Sequence, residues 1–183
     1  MVGDPRKLST DVGPVIDGGA LEELQAHAER MEKEFTLLAR APLSPGLDGH
    51  FIAPCAFEID SISSLEKEVF GPILHVVRYR SRDLDRVIDE INGTGYGLTL
   101  GVHSRIDRTQ RHIARRVRVG NCYVNRNMIG AVVGVQPFGG ERLSGTGPKA
   151  GGPHYMFRFA TERTLTVNTA AVGGNASLLE LDD

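Results

Sequence analysis

Tryptophan is absent from this 183-residue chain and aromatic residues make up only 6% of it, which leaves little material for a surface that stacks nucleic-acid bases. The 21 basic side chains are outnumbered by 23 acidic ones, for a net charge of −2, so there is no cationic surplus to coat a polyanion and no acidic tail. Cysteine occurs twice, at Cys55 and Cys122, with no CxxC. That excludes a disulfide framework and a thiolate metal site, and fits free, buried thiols in a reducing, cytoplasmic setting. No window approaches the ~20 apolar residues that span a bilayer. The opening "MVGDPRKLST" lacks the cationic-then-apolar pattern of a signal peptide. The six histidines (His27, His50, His75, His103, His112, His154) show no metal-ligand spacing. The chain reads as soluble, with no membrane segment, no metal and no nucleic-acid partner.

What is present is the mix of an ordinary globular domain, 40% hydrophobic and 24% charged. Leu21, Leu24, Ala28, Met31 and Phe35 recur at helical spacing, with acids and bases on the other face and Asp17 placed to cap the helix. "FTLLA" reads as a short strand. "HFIAPCAFEI" reads as a strand whose Pro54 calls for an edge position or a bulge. "SSLE" at 63–66 reads as a capping box opening a short helix. "ILHVVRY" is a nearly continuous apolar run, as a strand covered on both faces would be. Then "DLDRVIDEIN" (helix), "LTLGVH" (strand), "RTQRHIARRV" (basic helix) and "NCYVN" (strand) follow with short links. This alternation predicts an α/β fold, an open parallel sheet with helical crossovers. "HYMFRFATER" is expected to hold a helical turn, "TLTVNT" a last strand, and the tail after it is loosely attached.

Residues 126–153 break the alternation with a long, glycine-dense loop. A loop of that length inside a compact domain is usually functional. Yet "NRNMIGAVVGVQPFGG" (125–140) contains no acid and no thiol. Familiar phosphate and nucleophile patterns fail nearby. "GTGPKA" formally matches G-x-G-x-x-A without a preceding strand, "GPKAGG" lacks the Ser or Thr of a phosphate loop, and Ser144 in "RLSGT" is not a nucleophile elbow.

Taken together, "EVFGP" before an apolar strand, "NGTGYGLT", and "PFGG" before "SGTG" resemble the aldehyde dehydrogenase superfamily in order and spacing. "GAVVGVQPFGG" and "LSGTGPKAGGPHY" are similar to its glutamate-semialdehyde (pyrroline-5-carboxylate) dehydrogenase branch, specifically the dehydrogenase part of the bifunctional proline utilization A flavoenzymes. The resemblance runs nearly the whole chain. It implies a partial aldehyde dehydrogenase catalytic domain over 1–162, with an oligomerisation strand and tail over 163–183 that would make a homodimer. It also implies NAD as cofactor, with Glu68 accepting hydrogen bonds from the nicotinamide ribose and Phe70 packing near the nicotinamide. A carboxylate is a natural acceptor for two vicinal hydroxyls; without the resemblance, Glu68 would be an acid at a helix end.

The same resemblance gives the acid-free loop its job. The backbone amides of Gly130 and Ala131 would hold the α-carboxylate of glutamate semialdehyde, and Phe138 would wall in its aliphatic part. Main-chain N–H groups bind an anion without a charged side chain. FAD would belong to a proline dehydrogenase domain of which this chain carries no residue. The superfamily's reacting cysteine and its Rossmann domain are expected upstream of the matched residues, Met1 standing where relatives continue. Neither Cys55 nor Cys122 matches the nucleophile, so the chain alone is expected to be inactive and no catalytic residue is assigned. The alternative is a non-catalytic remnant that folds and binds a carboxylate ligand or a partner chain. Arg142 departs from the small residue common in relatives.

Overall fold

The computed structural model describes residues 1–168. Helix α1 (Gly18–Glu34) begins where Asp17, in extended conformation, accepts a hydrogen bond from the Ala20 N–H at 2.8 Å. That cap satisfies one of the N–H groups a helix start leaves unpaired. The buried stripe Leu24, Ala28 and Met31 lies on a three-stranded sheet of order β1-β2-β3, formed by β1 (Thr36–Arg40), β2 (Cys55–Glu58) and β3 (Ile73–Val76). Strand alternation puts Cys55 and Phe57 on one face, where they join Ile52, Ile59, Ile73 and the α1 stripe in the main core. Phe57 and Met31 are fully buried.

The sheet departs from the sequence expectation in several ways. Strand β1 runs antiparallel to β2, whereas β2 and β3 are parallel. The link from β1 to β2 contains no helix, so the chain turns back beside itself instead of crossing over. Pro54 marks neither an edge nor a bulge, because β2 is the central strand and Pro54 precedes it. Its carbonyl accepts from the Ala41 N–H at 2.8 Å, and the irregularity falls in β1 between Leu37 and Ala39. Strand β3 is not covered on both faces, since Leu74 is 62% exposed on the face opposite α1. The 63–66 capping box does not form either. Ser61 instead caps a single 3-10 turn at Ile62–Ser64, accepting from the Ser63 N–H at 3.1 Å while its hydroxyl donates to Glu90 at 2.9 Å.

The second half follows its pattern closely, with α2 (Leu84–Gly93), β4 (Thr99–Val102), α3 (Asp107–Arg116) and β5 (Asn121–Val124). Strands β4 and β5 pair in parallel from Thr99 opposite Asn121 to Val102 opposite Val124, with α3 as the crossover. Arg116 ties the two helices together, reaching Asp85 at 2.6 Å and Asp89 at 2.8 Å. Asn92 closes the end of α2, its Nδ2 donating to the Arg116 carbonyl at 2.9 Å and its Oδ1 accepting from the Arg118 N–H at 2.8 Å. The fold class is α/β. Among the described residues, however, β4 and β5 form a sheet of their own, so the expected single open parallel sheet is two small ones, the first of them mixed. The expected helical turn is a 3-10 helix at Tyr155–Phe159. Residues 160–168 carry no regular structure. Residues 164–168 belong to no strand within the described chain; the strand expected at 164–169 would find its ladder on a second copy. Thr169 and the tail lie outside the described residues.

Helix α1 meets β3 through two imidazoles, His27 and His75, whose Nε2 atoms lie 2.9 Å apart with the rings crossed at 80°. One ring must donate and the other accept, so the pair cannot be doubly charged. Burial holds both below the ordinary histidine value of 6.5, helped at His27 by the positive charges of His75, Arg30 and Lys67 and at His75 by Arg30. The unfolded chain therefore binds more protons than the folded one below that pH, and stability rises with pH. The contribution is whole above about pH 6.5 and is lost as the pH falls through the lowered folded-state values. Thermal melts followed by circular dichroism should show a midpoint that declines below that pH, and His75→Gln should flatten the decline. An equally steep decline in the variant would remove the pair as its source.

Candidate functional site

Beyond the turn capped by Ser61, residues 65–72 run without regular structure toward β3. Gly71 presses on α1, where a Cβ would come within 2.5 Å of the Leu24 methyls. Lys67 reaches Glu23 of α1 at 3.3 Å. Between these two anchors, Glu68 is exposed and makes no hydrogen bond or ion pair among the described residues. It stands on the shared wall of two clefts. One, of about 880 Å³, lies between the segment 11–16, the first turns of α1 and Phe70. The other, of about 520 Å³, opens toward β4 and is lined by Leu98, Leu100 and Leu143. Phe70 is 89% exposed at the first cleft.

The glycine-dense loop leaves β5 at Asn125. That residue holds a left-handed φ of 54°, and its side chain bridges the Ser104 N–H and carbonyl at 3.0 and 3.1 Å. The first arm of the loop, 126–135, is held mainly by local bonds. The Val132 N–H donates to Gln136 Oε1 at 3.0 Å, and the Val135 and Gln136 amides donate to the Val132 carbonyl. The Gly130 and Ala131 amides donate to no group among the described residues. A Cβ at Gly130 would meet nothing within 4 Å, so that side of the backbone is open to a ligand.

The second arm, 136–150, is fastened along its length. Phe138 and Ala150 exchange N–H···O bonds of 3.0 and 2.9 Å. The buried Asn121 donates through Nδ2 to the Pro137 carbonyl at 3.0 Å and accepts through Oδ1 from the Gly139 N–H at 3.3 Å. The Lys149 ammonium donates to the Gly120 carbonyl and lies 3.4 Å from Asn121 Oδ1. Arg142, at a φ of 56°, donates to the Asn92 and Tyr96 carbonyls at 2.5 and 3.2 Å. The Gly97 carbonyl accepts from Gly120 and Glu141, and its N–H donates to Ser144 Oγ at 2.9 Å.

Of the residues singled out in the sequence, Glu68 and Phe70 share one wall, and Gly130, Ala131 and Phe138 share one loop. The two clefts that Glu68 lines are lined by none of the three loop residues. Sequence reasoning does not find the loop clamp of Asn121 and Lys149, whose partners lie far along the chain and whose burial only the fold reveals. Arg142 was noted only as a departure, and it is an anchor. Among the described residues no three His, Cys, Asp or Glu side chains stand close enough to hold a metal ion, and no helix is long and apolar enough to cross a membrane. Chemically, the arrangement offers the unengaged carboxylate of Glu68 on the cleft wall and, in the loop, a run of unengaged backbone donors that includes the adjacent Gly130 and Ala131 amides.

The chain matches the aldehyde dehydrogenase family over residues 1–165. It is 52% identical over 168 residues to the bifunctional protein PutA of Klebsiella aerogenes, covering 88% of this chain and 13% of that one. It is 38% identical over 167 residues to the 1-pyrroline-5-carboxylate dehydrogenase of Geobacillus thermodenitrificans, covering 90% of this chain and 32% of that one. A crystal structure of proline utilization A from Bradyrhizobium japonicum superposes with a TM-score of 0.84 at 62% identity, over 93% of this chain and 17% of that one. The chain thus spans between a tenth and a third of the length of these relatives.

Both thiols are free. Cys55 is buried in β2, and its burial pushes the thiol up from 9.0, with Arg40 opposing the shift. Cys122, half-buried in β5, is pushed up by burial as well. A raised pKa leaves little thiolate at neutral pH. Iodoacetamide at neutral pH should therefore label neither residue in the native chain at the rate of a free thiol, and both at that rate once denaturant is added. Fast native labelling of either, read by mass spectrometry, would contradict this.

Proposed function

The chain belongs to the aldehyde dehydrogenase family, and from that premise we propose that it carries two of the binding contacts of an NAD-dependent L-glutamate γ-semialdehyde dehydrogenase, which completes the oxidation of proline to glutamate. The observation that carries this reading is the loop. Two adjacent main-chain amides at Gly130 and Ala131 have no partner within the described chain, and they stand on the same loop as Phe138. Paired N–H groups without a counter-charge suit a carboxylate, and an aromatic ring suits the methylenes beside it.

Glu68 fits the nicotinamide ribose for a similar reason. Its carboxylate is exposed, unpaired and set on a cleft wall with the open Phe70 ring nearby. Two carboxylate oxygens accept from two vicinal hydroxyls without rearrangement. When bound, NAD supplies the hydride acceptor. The part of this chain is to orient that group through Glu68 and Phe70 and to hold the substrate's carboxylate end through Gly130, Ala131 and Phe138. Family chemistry also needs a thiolate nucleophile. Cys55 and Cys122 lie in strands with raised pKa values, and neither has that role in this reading. Residues 1–162 form the catalytic-domain portion, and 163–183 pair with a second copy in a cytoplasmic homodimer.

Mixed with NAD and glutamate semialdehyde, the 183-residue chain should give no NADH signal. Turnover that survived loss of both cysteines would overturn the assignment of the chemistry. Glu68→Gln keeps the shape but removes the charge, and should weaken binding of nicotinamide mononucleotide about tenfold by calorimetric titration. Unchanged affinity would release Glu68 from the ribose.

A further inference from the structure

We propose that Asn121 is a positioning residue for the substrate loop, setting Phe138 against the carboxylate-binding amides; this rests on the reading of the loop given above. A single carboxamide takes hold of the chain on both sides of Phe138. Its Nδ2 donates to the carbonyl of Pro137, the residue before, at 3.0 Å, and its Oδ1 accepts from the N–H of Gly139, the residue after, at 3.3 Å. Phe138 itself is tied across to Ala150 through both its N–H and its carbonyl. Donor and acceptor on one short side chain are needed for this, and of the residues of this length only Asn provides both. The neighbours fix the orientation of the amide, because Gly139 N and the Lys149 ammonium can only donate and Pro137 O can only accept.

Asn121 is itself held. It is buried at the first position of β5, its Nδ2 also lies 3.2 Å from the Tyr123 hydroxyl, and Lys149 stands 3.4 Å from its Oδ1 while donating to the neighbouring Gly120 carbonyl. Leaving any of these buried groups unpaired costs free energy, so the set moves together. The amides of Gly130 and Ala131 lie on the arm that this cluster does not touch. Asn121 therefore governs the wall of the site and not the anion contacts, and disturbing it should change which carboxylates bind more than whether a carboxylate binds.

The test uses the full chain, L-glutamate and acetate, with amide nitrogen–proton spectra as readout. Asn121→Asp keeps the shape and the acceptor for the Gly139 N–H but replaces the donor with an oxygen set against the Pro137 carbonyl. In the unaltered chain both ligands should shift the Gly130 and Ala131 signals. In the variant, glutamate should bind about tenfold more weakly while acetate changes by less than about twofold. A general loosening would weaken both alike. Equal losses, or none, overturn the positioning role while leaving the carboxylate reading intact. No Gly130 or Ala131 shift with glutamate in the unaltered chain overturns that reading, and the role of Asn121 with it. If Asn121→Asp does not fold, Lys149→Met replaces it: the ratio of glutamate to acetate affinity should fall about threefold, and an unchanged ratio counts against the proposal.

Discussion

Three stretches of main chain converge on Gly97, and their approach is closer than any side chain would allow. Its carbonyl takes hydrogen bonds from Gly120, ahead of β5, and from Glu141, in the loop, at 3.0 and 2.9 Å. A Cβ on Gly97 would lie 2.3 Å from the Arg118 carbonyl, and one on Gly120 would lie 1.8 Å from that of Gly139. Those contacts are backbone against backbone, so nothing flexible could yield. The link before β4, the link before β5 and the glycine-dense loop are thereby locked as one junction. Asn121, Lys149 and Arg142 extend it outward with side chains. The position of Phe138 is a consequence of this junction.

The first sheet rests on a different principle. Its order comes from apolar burial, with α1 laid on β2 and β3 and Phe57 and Met31 fully enclosed, a non-directional force proportional to area. The junction at Gly97 is instead directional and polar. The segment carrying Glu68 belongs to the first regime, pinned by Gly71 on Leu24 and by Lys67 on Glu23. The segment carrying Phe138 belongs to the second. Each half of the proposed site is thus held by the type of interaction that dominates its own part of the chain.

Local signals in the sequence were legible for this reason, and non-local ones were not. The period of α1, its Asp17 cap and the separate elements β4, α3 and β5 each depend on residues within one or two turns, and their bounds matched closely. The antiparallel partner of β1 lies fifteen to twenty-two residues away, and no alternation of side chains states a direction. Pro54 misled because its meaning depends on which strand flanks it. Asn121 could not be read as a clamp, since its partners lie 16 to 28 residues further on. Glu68, Gly130 and Ala131 carry no chemical signature of their own: they stood out by family likeness, and the structure adds that they are unengaged.

In the proposed reading, the loop divides its work between a stiff arm and a loose one, with consequences for binding. Fixing one residue's backbone opposes binding by roughly 1–2 kcal/mol, and the arm with Gly130 and Ala131 has few bonds beyond its own turn. Part of what a carboxylate gains from those amides is therefore offset by ordering the arm. Phe138 is already ordered, bonded to Ala150 and bracketed by Asn121, so a ligand that packs on it meets no such opposing term. A bare carboxylate takes only the diminished gain. One with methylenes placed to reach Phe138 adds apolar contact to a surface already in place. On that reading, discrimination among carboxylates resides in the clamped arm, although the charge is met by the free one.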